Sequence, residues 1–540
     1  MSKLFDQLLR KRNLSADFVR PKYEDLADAN LLPDMKAAVK RIVQAAKKQE
    51  KVLVYGDYDA DGITASVVMY DALRMAGVRK IDVMLPNRFV DGYGMSERLL
   101  ERAVADGVEL VVTVDCGSRN SDIVSQLQGR GIDVVVTDHH ECGEDLPAAV
   151  AVVNPKRPDV VVPDVLRDLA GVGVAFFVAR GLVAVGAIKA GQEKWLLDLV
   201  AVGTVCDSVP MSLENRRLCF YGMKVLEKTR RIGLKELMRA AGVKKLNGHV
   251  LGFQIGPRLN AAGRMESPEL ALKLLMAQSS AEAAALAAKL EEYNALRKDE
   301  QKSAIDEIQE EGLVGRQPVI VVHGRWNEGI IGIIAGQLVE RFHKPAFVFT
   351  DTSEGWKGSG RSFGDFNLAE ALEACADLIE RGGGHAAACG LMVPKSGIDE
   401  FRQGVNEYYK SLGLVDQKRF WSQDSDLVTE NADDLSLELV SEVQQLEPYG
   451  EGHAEPVWRF EKVLIQNLRR LGADGKHLCL IVRDASGNTM KLIAFYAPEN
   501  WFLAEEGQYV DACFTLMENE WNGLRSVEGR LVKLSPRDEF

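Results

Sequence analysis

Acidic and imidazole side chains follow directly after three apolar segments, and together they could support metal chemistry. The segments are KVLVYG, ELVVTV and VVVT, and the side chains after them are Asp57, Asp59, Asp61, Asp115, Asp138, His139 and His140. Ionised carboxylates that lie close together repel one another unless cations neutralise them. Oxygen and imidazole ligands without a thiolate favour manganese or magnesium, and a pair of such ions suits in-line attack by water on a phosphoryl group.

The elements that must bring these side chains together are predicted from residues 51–138. Short β-rich segments alternate with amphipathic ones, which predicts a βαβαβαβ series and a parallel sheet covered by helices. Ligands bind beyond the carboxyl ends of the strands in such sheets. A single aspartate after a strand is more often a turn or helix-capping residue, but several strand ends together favour a metal site. Asp207 ends a further apolar segment and is another candidate ligand, with helix capping as the alternative.

Length and composition limit the class of protein. The 540 residues exceed the roughly 250–300 that one core can hold, which predicts two to four domains. No apolar segment approaches the roughly 20 residues that span a bilayer, the first residues do not resemble a secretory signal, and the eight cysteines form no CxxC pair, so we expect a cytoplasmic protein with no membrane partner. The net charge of −13 argues against indiscriminate coating of nucleic acid but leaves room for a local basic cleft.

The rest of the chain divides into further predicted domains. Residues 279–312 are rich in Ala, Glu and Lys, which predicts a connecting helix, and because residues 297–303 are polar on all sides we expect it to cross solvent. Residues 313–412 return to an α/β pattern, and their glycine-rich segments suit close approach to a phosphate, although tight turns are the commoner reason for such glycines. Residues 413–540 alternate strands with Gly and Asn turns, which predicts a small β-barrel.

Several motifs, in this order, resemble those of the DHH phosphoesterase superfamily. They are GDYDADG, PNRFVDGYG, VTVD, TDHH, LAGVGVAF, GTVCDSVP, GFQIGPRLNAAGRM, GSGRS and GGGHAAACG. Within that superfamily, nearly the whole chain resembles the RecJ family of bacterial 5′-to-3′ exonucleases specific for single-stranded DNA. The resemblance implies an N-terminal extension (1–45) that packs on the core, an α/β DHH domain with a parallel sheet (46–278), a long connecting helix, a smaller α/β DHHA1 domain for substrate binding, and an OB-fold barrel.

The resemblance also implies roles for individual residues. The expected metal ligands are Asp59, Asp61, Asp115, His139 and Asp207. Asp57 and Asp138 would orient or supplement these ligands, and His140 would be either a ligand or a contact to the scissile phosphate. The residues expected to bind substrate are Arg88, Tyr93, Arg258, Asn260, Arg264, Ser359, Arg361, Ser362, Gly383, Gly384 and His385. For the group at 258–264, ion pairing on a helix surface is the alternative.

The implied activity is hydrolysis of single-stranded DNA in repair and recombination, with two Mn²⁺ or Mg²⁺ ions that activate water. The expected partners are single-stranded DNA, a single-strand-binding protein and a helicase. No nucleotide cofactor is expected, because GVGVAF lacks the third glycine of a dinucleotide-binding motif. The alternatives are a DHH phosphodiesterase for short oligonucleotides or cyclic dinucleotides, and a non-catalytic nucleic-acid-binding scaffold. Where the family commonly has Trp-His, this chain has Trp326 and Asn327, so no role of that histidine carries over.

Aromatic and basic residues of the predicted barrel could stack on bases and follow the backbone of a single strand. The candidates are Trp458, Arg469, Arg470, Phe495, Tyr496 and Trp521. Packing in the barrel core is the alternative for each aromatic side chain, and for Phe495 it is the prediction that we favour.

Overall fold

Three β-sheets organise the protein, one in each of three successive parts of the chain. The computed structural model describes residues 2–92, 94–143, 145–310, 312, 314–414, 425–472 and 475–536. The first sheet is wholly parallel, the second is mixed and the third closes into a barrel, which confirms the predicted architecture. Within the described ranges, no helix is both long enough and apolar enough to cross a membrane.

The first part of the chain builds a parallel sheet with helices on both faces. Its elements are α1 (Lys3–Lys11), α2 (Ala16–Val19), α3 (Met35–Lys48), β1 (Lys51–Tyr55), α4 (Ala60–Met75), β2 (Lys80–Met84), α5 (Glu97–Ala105), β3 (Leu110–Val114), α6 (Ser121–Gln128), β4 (Asp133–Thr137), β5 (Ala151–Val153), α7 (Asp164–Arg167), α8 (Gly171–Ala184), α9 (Leu197–Asp207), α10 (Leu213–Leu226), α11 (Ile232–Ala240), α12 (Gly248–Val250), α13 (Gly256–Met265) and α14 (Glu269–Met276). Strand β3 is buried along its whole length, as its valine-rich sequence predicts for the centre of such a sheet.

The strand order creates a crevice at one edge of this sheet. The strands pair in the order β2-β1-β3-β4-β5, so the chain runs outwards from β1 in one direction and from β3 in the other. Ligands bind at such a reversal, beyond the carboxyl ends of the two strands. Helices α8 and α9 pack against α4 and against each other, and α9 is buried from Leu197 to Thr204. These apolar helices thus form the rigid base of the crevice.

A single long helix joins the first part to the second. This helix, α15 (Ser280–Glu310), has 31 residues and is therefore about 46 Å long. It packs against α11, α13 and α14 of the first part and against a helix of the second. Asn294 is 0% exposed and Gln301 is 7% exposed, so one face of the helix is buried there. The expectation that its polar middle crosses solvent holds for the other face, where the exposed residues are Lys298, Asp299, Lys302 and Ser303.

The second part is a smaller α/β domain. Its elements are β6 (Ile320–Gly324), α16 (Ile331–Phe342), β7 (Ala346–Asp351), β8 (Trp356–Arg361), α17 (Leu368–Ala374), β9 (Arg381–Gly384), β10 (Ala388–Val393) and α18 (Ile398–Ser411). The sheet order is β6-β7-β8-β10-β9, and only β6 and β7 pair in parallel. The Phe347 and Phe401 rings pack edge to face at 5.2 Å in its core. The exposed strand β9 forms one edge of the sheet.

The third part is a closed barrel preceded by a short strand and a helix. Its elements are β11 (Leu427–Thr429), α19 (Leu437–Gln444), β12 (Trp458–Leu471), β13 (His477–Arg483), β14 (Thr489–Ala494), β15 (Tyr509–Trp521) and β16 (Leu524–Pro536). Strand β12 pairs with β13 on one side and with β15 on the other, which closes the barrel. Trp458 is fully buried and belongs to the core, whereas Tyr496 and Trp521 are exposed. Phe495 is 55% exposed because alternate residues of β14 up to Ala494 face the core and the next residue faces outwards, so the prediction that it packs in the core was wrong.

We predict that Phe347→Ala destabilises the second domain by about 3–5 kcal/mol, because it removes a fully buried ring from a core that cannot collapse around the cavity. Hydrogen exchange of the β7 and β8 amides measures this loss directly. Phe495→Ala is the matched control and should change stability by less than about 0.5 kcal/mol. Equal protection of β7 in the two variants would contradict the assignment of Phe347 to the core.

Candidate metal centre

The first acidic group lies where β1 leads into α4. Asp57 is buried directly after the strand, and Asp59 caps the helix, because its Oδ1 accepts hydrogen bonds from the N–H groups of Asp61 and Gly62 at 3.0 and 3.1 Å. The capping alternative therefore holds for Asp59, and this cap uses one of its two carboxylate oxygens. A Cβ atom at Gly62 would lie 2.6 Å from the backbone of Asp57, so only glycine permits this tight approach.

The N-terminus of α8 holds the carboxylate of Asp61. The N–H groups of Gly171 and Val172 donate to its two oxygens at 2.6 and 3.0 Å, and a helix N-terminus stabilises negative charge. A Cβ atom at position 171 would lie 2.5 Å from Asp115 Oδ1, so glycine lets α8 approach a second carboxylate. Asp115 has a φ of +60°, and its N–H donates to the Thr137 carbonyl at 2.9 Å, which holds this left-handed conformation.

His139 lies at the centre of the acidic cluster. Its Nε2 lies 3.1 Å from Asp115 Oδ1, 3.5 Å from Asp207 Oδ2 and 3.9 Å from Asp61 Oδ2. Overlapping groups have ligand atoms within 4.8 Å of one another: Asp115, His139 and His140; Asp61, His139 and Asp207; Asp57, Asp59 and Asp115. Among the described residues, Asp57 Oδ1, Asp115 Oδ1 and His139 Nε2 are buried without a hydrogen-bond partner. Buried polar atoms are rarely left unpaired, so this donor set fits metal ions.

Asp138 positions both histidines. Its Oδ1 accepts hydrogen bonds from the N–H groups of His139 and His140 at 2.7 and 3.1 Å and lies 2.8 Å from His140 Nδ1. The Ser118 N–H donates to its Oδ2 at 2.9 Å, and the Asn154 amide donates to the Ser118 hydroxyl and the His140 carbonyl. Burial alone would raise the pKa of Asp138, but the hydrogen bond with His140 holds it well below the usual range. Sequence reasoning missed Ser118 and Asn154, although both follow strand ends.

Burial and mutual repulsion oppose ionisation of the acidic cluster. Burial, followed by the charge of Asp59, raises the pKa of Asp57 to about 8 and that of Asp207 to about 7. Burial and then the charge of Asp207 raise the pKa of Asp61, and burial and then Asp61 raise that of Asp115 well above its usual value. Divalent cations would replace these protons, and carboxylate with imidazole is a donor set that suits Mn²⁺ or Mg²⁺.

Comparisons with known proteins agree with this geometry. Residues 51–204 match the DHH family N-terminal domain, residues 316–411 the DHHA1 domain and residues 428–533 the RecJ OB domain. The single-stranded-DNA-specific exonuclease RecJ of Dickeya dadantii is 34% identical over 540 residues, which cover 95% of this chain and 92% of that protein. This chain belongs to the RecJ family.

Two further RecJ proteins extend the comparison. RecJ of Bacillus subtilis is 36% identical over 522 residues, which cover 95% of this chain but only 64% of that longer protein. The crystal structure of RecJ in complex with Mn²⁺ from Thermus thermophilus has a TM-score of 0.84 at 28% identity, over 99% of this chain and 76% of that one. Manganese in that structure agrees with the donor set found here.

Two arginines expected from the RecJ resemblance lie near the metal centre. The Arg88 guanidinium carbon lies 4.3 Å from the centroid of the Tyr58 ring, and within the described chain its Nε is buried without a hydrogen-bond partner. Arg264 donates to the Gly329 carbonyl of the second domain at 3.0 Å. Burial, followed by the charge of Arg88, lowers the pKa of Arg264 to about 9. The charge of Asp59 opposes this shift without cancelling it, and a cluster of like charges favours an anion between them.

Two other expected residues have partners inside the protein. The Arg258 guanidinium donates to both carboxylate oxygens of Glu291 at 2.5 and 3.0 Å, so the ion-pair alternative holds and the pair links α13 to α15. Asn260 Oδ1 accepts a hydrogen bond from the Ala60 N–H at 2.7 Å and so fixes the start of α4. Their roles in substrate binding stay predictions. Tyr93 lies outside the described residues.

The second domain presents its candidate residues around strands β8 and β9. Arg361 Nη1 donates to Ser359 Oγ at 3.2 Å and to the Gly360 carbonyl at 2.7 Å. A cavity of about 1080 Å³ separates the sheet from residues 88–92 of the first domain. Asn327, which stands where the family commonly has histidine, accepts a hydrogen bond from the Gly329 N–H at 2.8 Å and so shapes the turn that Arg264 contacts.

The glycine-rich segment after β8 serves two purposes. A Cβ atom at Gly384 would lie 2.4 Å from the Ala388 carbonyl oxygen, so the tight-turn explanation applies there. A Cβ atom at Gly383 would meet nothing within 4 Å, so its space is open to solvent or a ligand. His385 is exposed, and its N–H donates to the Ala388 carbonyl at 2.8 Å, while the Ser362 hydroxyl donates to a carbonyl of its own domain.

The connecting helix adds two polar residues that sequence reasoning missed. Arg297 Nη2 donates to Asn294 Oδ1 at 3.1 Å. In the part of the chain that the structure describes, Arg297 Nε and Asn294 Nδ2 are buried without a hydrogen-bond partner. Arg297 also contributes to the lowered pKa of Arg264, so the two guanidinium groups are close. The signal was available, because Asn294, Arg297 and Gln301 lie at helical spacing on one face.

We predict that Mn²⁺ affinity rises steeply between about pH 6 and about pH 8, with net release of protons on binding. The pKa values of Asp57 and Asp207 are raised, so these carboxyls are protonated at low pH and compete with the metal. In the metal-free protein the same groups contribute stability at low pH that is lost as the pH rises, so Mn²⁺ should raise the melting temperature more at pH 8 than at pH 6.

Calorimetry in two buffers of different ionisation enthalpy measures the released protons. An affinity that does not change with pH would contradict the raised pKa values. Asp433 provides a control, because Asp433→Ala alters a carboxylate that lies far along the chain in the barrel domain and should leave the pH dependence unchanged.

Proposed function

We propose that this chain is a metal-dependent exonuclease that removes nucleotides from the 5′ end of single-stranded DNA in repair and recombination. The observation that carries the proposal is the juxtaposition of two complementary groups. One is the carboxylate and imidazole cluster, in which Asp57 Oδ1, Asp115 Oδ1 and His139 Nε2 are buried without a hydrogen-bond partner among the described residues. The other consists of Arg88, Arg264 and Arg297, which form no ion pair among the described residues. Metal ions and the phosphates of a strand would neutralise the two groups together.

The chain's own side chains define the chemistry. Asp59, Asp61, Asp115, His139 and Asp207 would hold two metal ions, which would lower the pKa of a water molecule and stabilise the charge of the leaving oxygen. Burial opposes the cation of His140, but its hydrogen bond with Asp138 raises its pKa to about 9, so it can donate a hydrogen bond to the scissile phosphate. Asp57 would orient or supplement the ligands. No protein nucleophile is required.

Three arginines near the metal centre support a polymeric substrate with several phosphates. Arg88, Arg264 and Arg297 are arranged to contact successive phosphates, since guanidinium groups bind phosphate through two parallel hydrogen bonds. Ser359 and Arg361 on β8 would supply donors for a terminal 5′ phosphate, and the open space at Gly383 lies across β10 from them. The 5′ direction itself is proposed on the resemblance to the RecJ family. A cyclic dinucleotide would use few of these contacts, and a binding scaffold would not require unpartnered metal ligands, so both alternatives are less well supported.

Several expectations accompany the proposal. We retain a single-strand-binding protein and a helicase as proposed partners, on the resemblance to the RecJ family alone. All eight cysteines are free thiols, and free thiols are typical of the reducing cytoplasm that we propose as the location. The predicted domain boundaries stay proposals: those at 278, 312 and 412 are compatible with the sheets and the connecting helix, whereas the one at 45 falls within α3.

Digestion of end-labelled DNA tests the proposed function. With Mn²⁺, a 5′ label on single-stranded DNA should be released at once in the first product, whereas a 3′ label should pass through progressively shorter fragments. Duplex DNA should resist, and Asp115→Ala should abolish turnover because it removes a ligand shared by two of the metal-binding groups. Equal cleavage of duplex DNA, or early release of the 3′ label, would contradict the proposal.

We predict that Arg297→Ala raises the KM for single-stranded DNA at least about tenfold, since a hydrogen bond to a charged group contributes about 1.5 kcal/mol or more. The dependence of log KM on log salt should weaken by about 0.7, the value for one lost contact to a single strand. Lys298→Ala is the matched control, because it removes the adjacent positive charge from the exposed face of the same helix. An equal effect of both substitutions would show that only the net charge matters.

A further inference from the structure

The N-terminal segment, residues 2–34, contributes side chains to two separate hydrophobic cores. Phe5 and Leu8 are buried in the core of the barrel domain, together with residues of α19 and β12. Leu26 and Leu32 are buried in the core of the DHH domain. Burial of an apolar side chain of this size stabilises by about 1.5–3 kcal/mol, so the segment is firmly attached at both ends. One continuous segment therefore bridges the first and the last domain.

Arg12 ties α1 to the barrel. Its Nε and Nη2 donate to the two carboxylate oxygens of Asp426 at 2.6 and 2.7 Å, and its Nη1 donates to the Ala454 carbonyl at 2.6 Å. Asp426 Oδ2 also accepts a hydrogen bond from the Val457 N–H at 2.8 Å, directly before β12. Both side chains of the ion pair are 16% exposed. A bidentate pair that is largely shielded from water fixes both distance and orientation.

Arg216 of α10 lies where the segment, the DHH domain and the barrel domain meet. It is 0% exposed, and its guanidinium donates to the carbonyls of Phe18 at 2.5 Å, Leu446 at 2.8 Å and Gln445 at 2.8 Å. The guanidinium carbon also lies 4.6 Å from the centroid of the Phe18 ring. His453 of the barrel domain packs edge to face on the same ring at 4.7 Å. One buried cation therefore joins three parts of the chain.

The second half of the segment is fixed to the DHH domain. The Tyr221 hydroxyl donates to the Pro21 carbonyl at 3.0 Å, and the Tyr23 hydroxyl donates to Glu193 at 3.0 Å. Arg180 of α8 donates to the Ala27 carbonyl. Because α8 also carries the N–H groups that hold Asp61, the segment is attached to the element that supports the metal centre.

The junction of the two domains adjoins the metal centre. The Met211 N–H donates to the Glu451 carbonyl at 2.7 Å. A cavity of about 550 Å³ is lined on one side by Cys206 and Ser208, the neighbours of Asp207, and on the other by residues of the range 447–451. A shift of the barrel would therefore move one wall of a cavity that begins beside a candidate metal ligand.

We propose that the N-terminal segment is a strut that fixes the barrel relative to the metal centre, with Arg12 and Arg216 as positioning residues. The inference rests on the proposed function, because it assigns the barrel to hold a strand whose end reaches the metals. When two binding sites are rigidly connected, a ligand bound at one site has a high effective concentration at the other. A loose connection lowers this effective concentration. The strut therefore raises affinity for long strands without taking part in hydrolysis.

The test uses the full chain and a charge reversal. Arg12→Glu places a like charge against Asp426 and should detach α1 from the barrel. Arg12→Lys keeps the positive charge and should retain part of this attachment. Arg10→Glu is the matched control, since Arg10 lies on the same helix, is 78% exposed and pairs only with Asp6 of that helix among its described contacts. For each variant we would measure the Kd for a long single strand, turnover of an oligonucleotide too short to reach the barrel, and the radius of gyration by X-ray scattering.

The strut predicts that Arg12→Glu weakens long-strand binding about tenfold and increases the radius of gyration, with short-oligonucleotide turnover unchanged. Arg12→Lys should fall between this variant and the natural chain, and Arg10→Glu should match the natural chain. Unchanged long-strand affinity, or an equal loss on short and long strands, would overturn the inference. If the natural chain bound strands without cleaving them, the proposed nuclease activity would be wrong. The binding and scattering measurements would still show whether the segment acts as a strut.

Discussion

Repulsion among buried carboxylates is the interaction on which the rest of the structure depends. Two unit charges about 4 Å apart repel by about 4 kcal/mol at an effective dielectric constant near 20. Asp61, Asp115 and Asp207 all lie within 3.9 Å of one imidazole nitrogen, and their pKa values are raised accordingly. The fold must therefore keep these carboxylates together against their repulsion. The buried sheet, the N-terminus of α8 and the buried helix α9 provide the rigid framework that does so.

The opposite charge is concentrated a short distance away. Arg88, Arg264 and Arg297 come from a loop, a helix and the connecting helix, and the pKa of Arg264 is lowered because it is buried and its neighbours are also cations. One region thus requires cations and the adjacent region requires anions. A phosphodiester strand bound together with metal ions neutralises both regions at once. A strand alone or metal ions alone would neutralise only one of them. The net charge of −13 conceals this local separation.

Much of the site was predictable, because parallel strands bring their carboxyl ends to one edge and the sequence places acids at those ends. The ordered motifs added the ligand set and the domain series. The buried face of α15 was not predictable from composition, since Asn294 and Gln301 are polar, and only their helical spacing indicates a shared face. Phe495 was misassigned because its apolar side chain was weighed without the alternation of β14, which places Ala494 inward and the next residue outward. The side-chain hydrogen bonds of Arg12 and Arg216 join residues at least 198 positions apart, and no local pattern encodes them.

Anomalous diffraction from crystals soaked in Mn²⁺, recorded at the manganese absorption edge, tests the central claim most directly. The account predicts strong peaks at the crevice beyond β1 and β3, one among Asp61, His139 and Asp207 and another on the side of Asp57 and Asp59, with Asp115 beside both. Absence of density at that crevice in crystals that bind manganese elsewhere would contradict it.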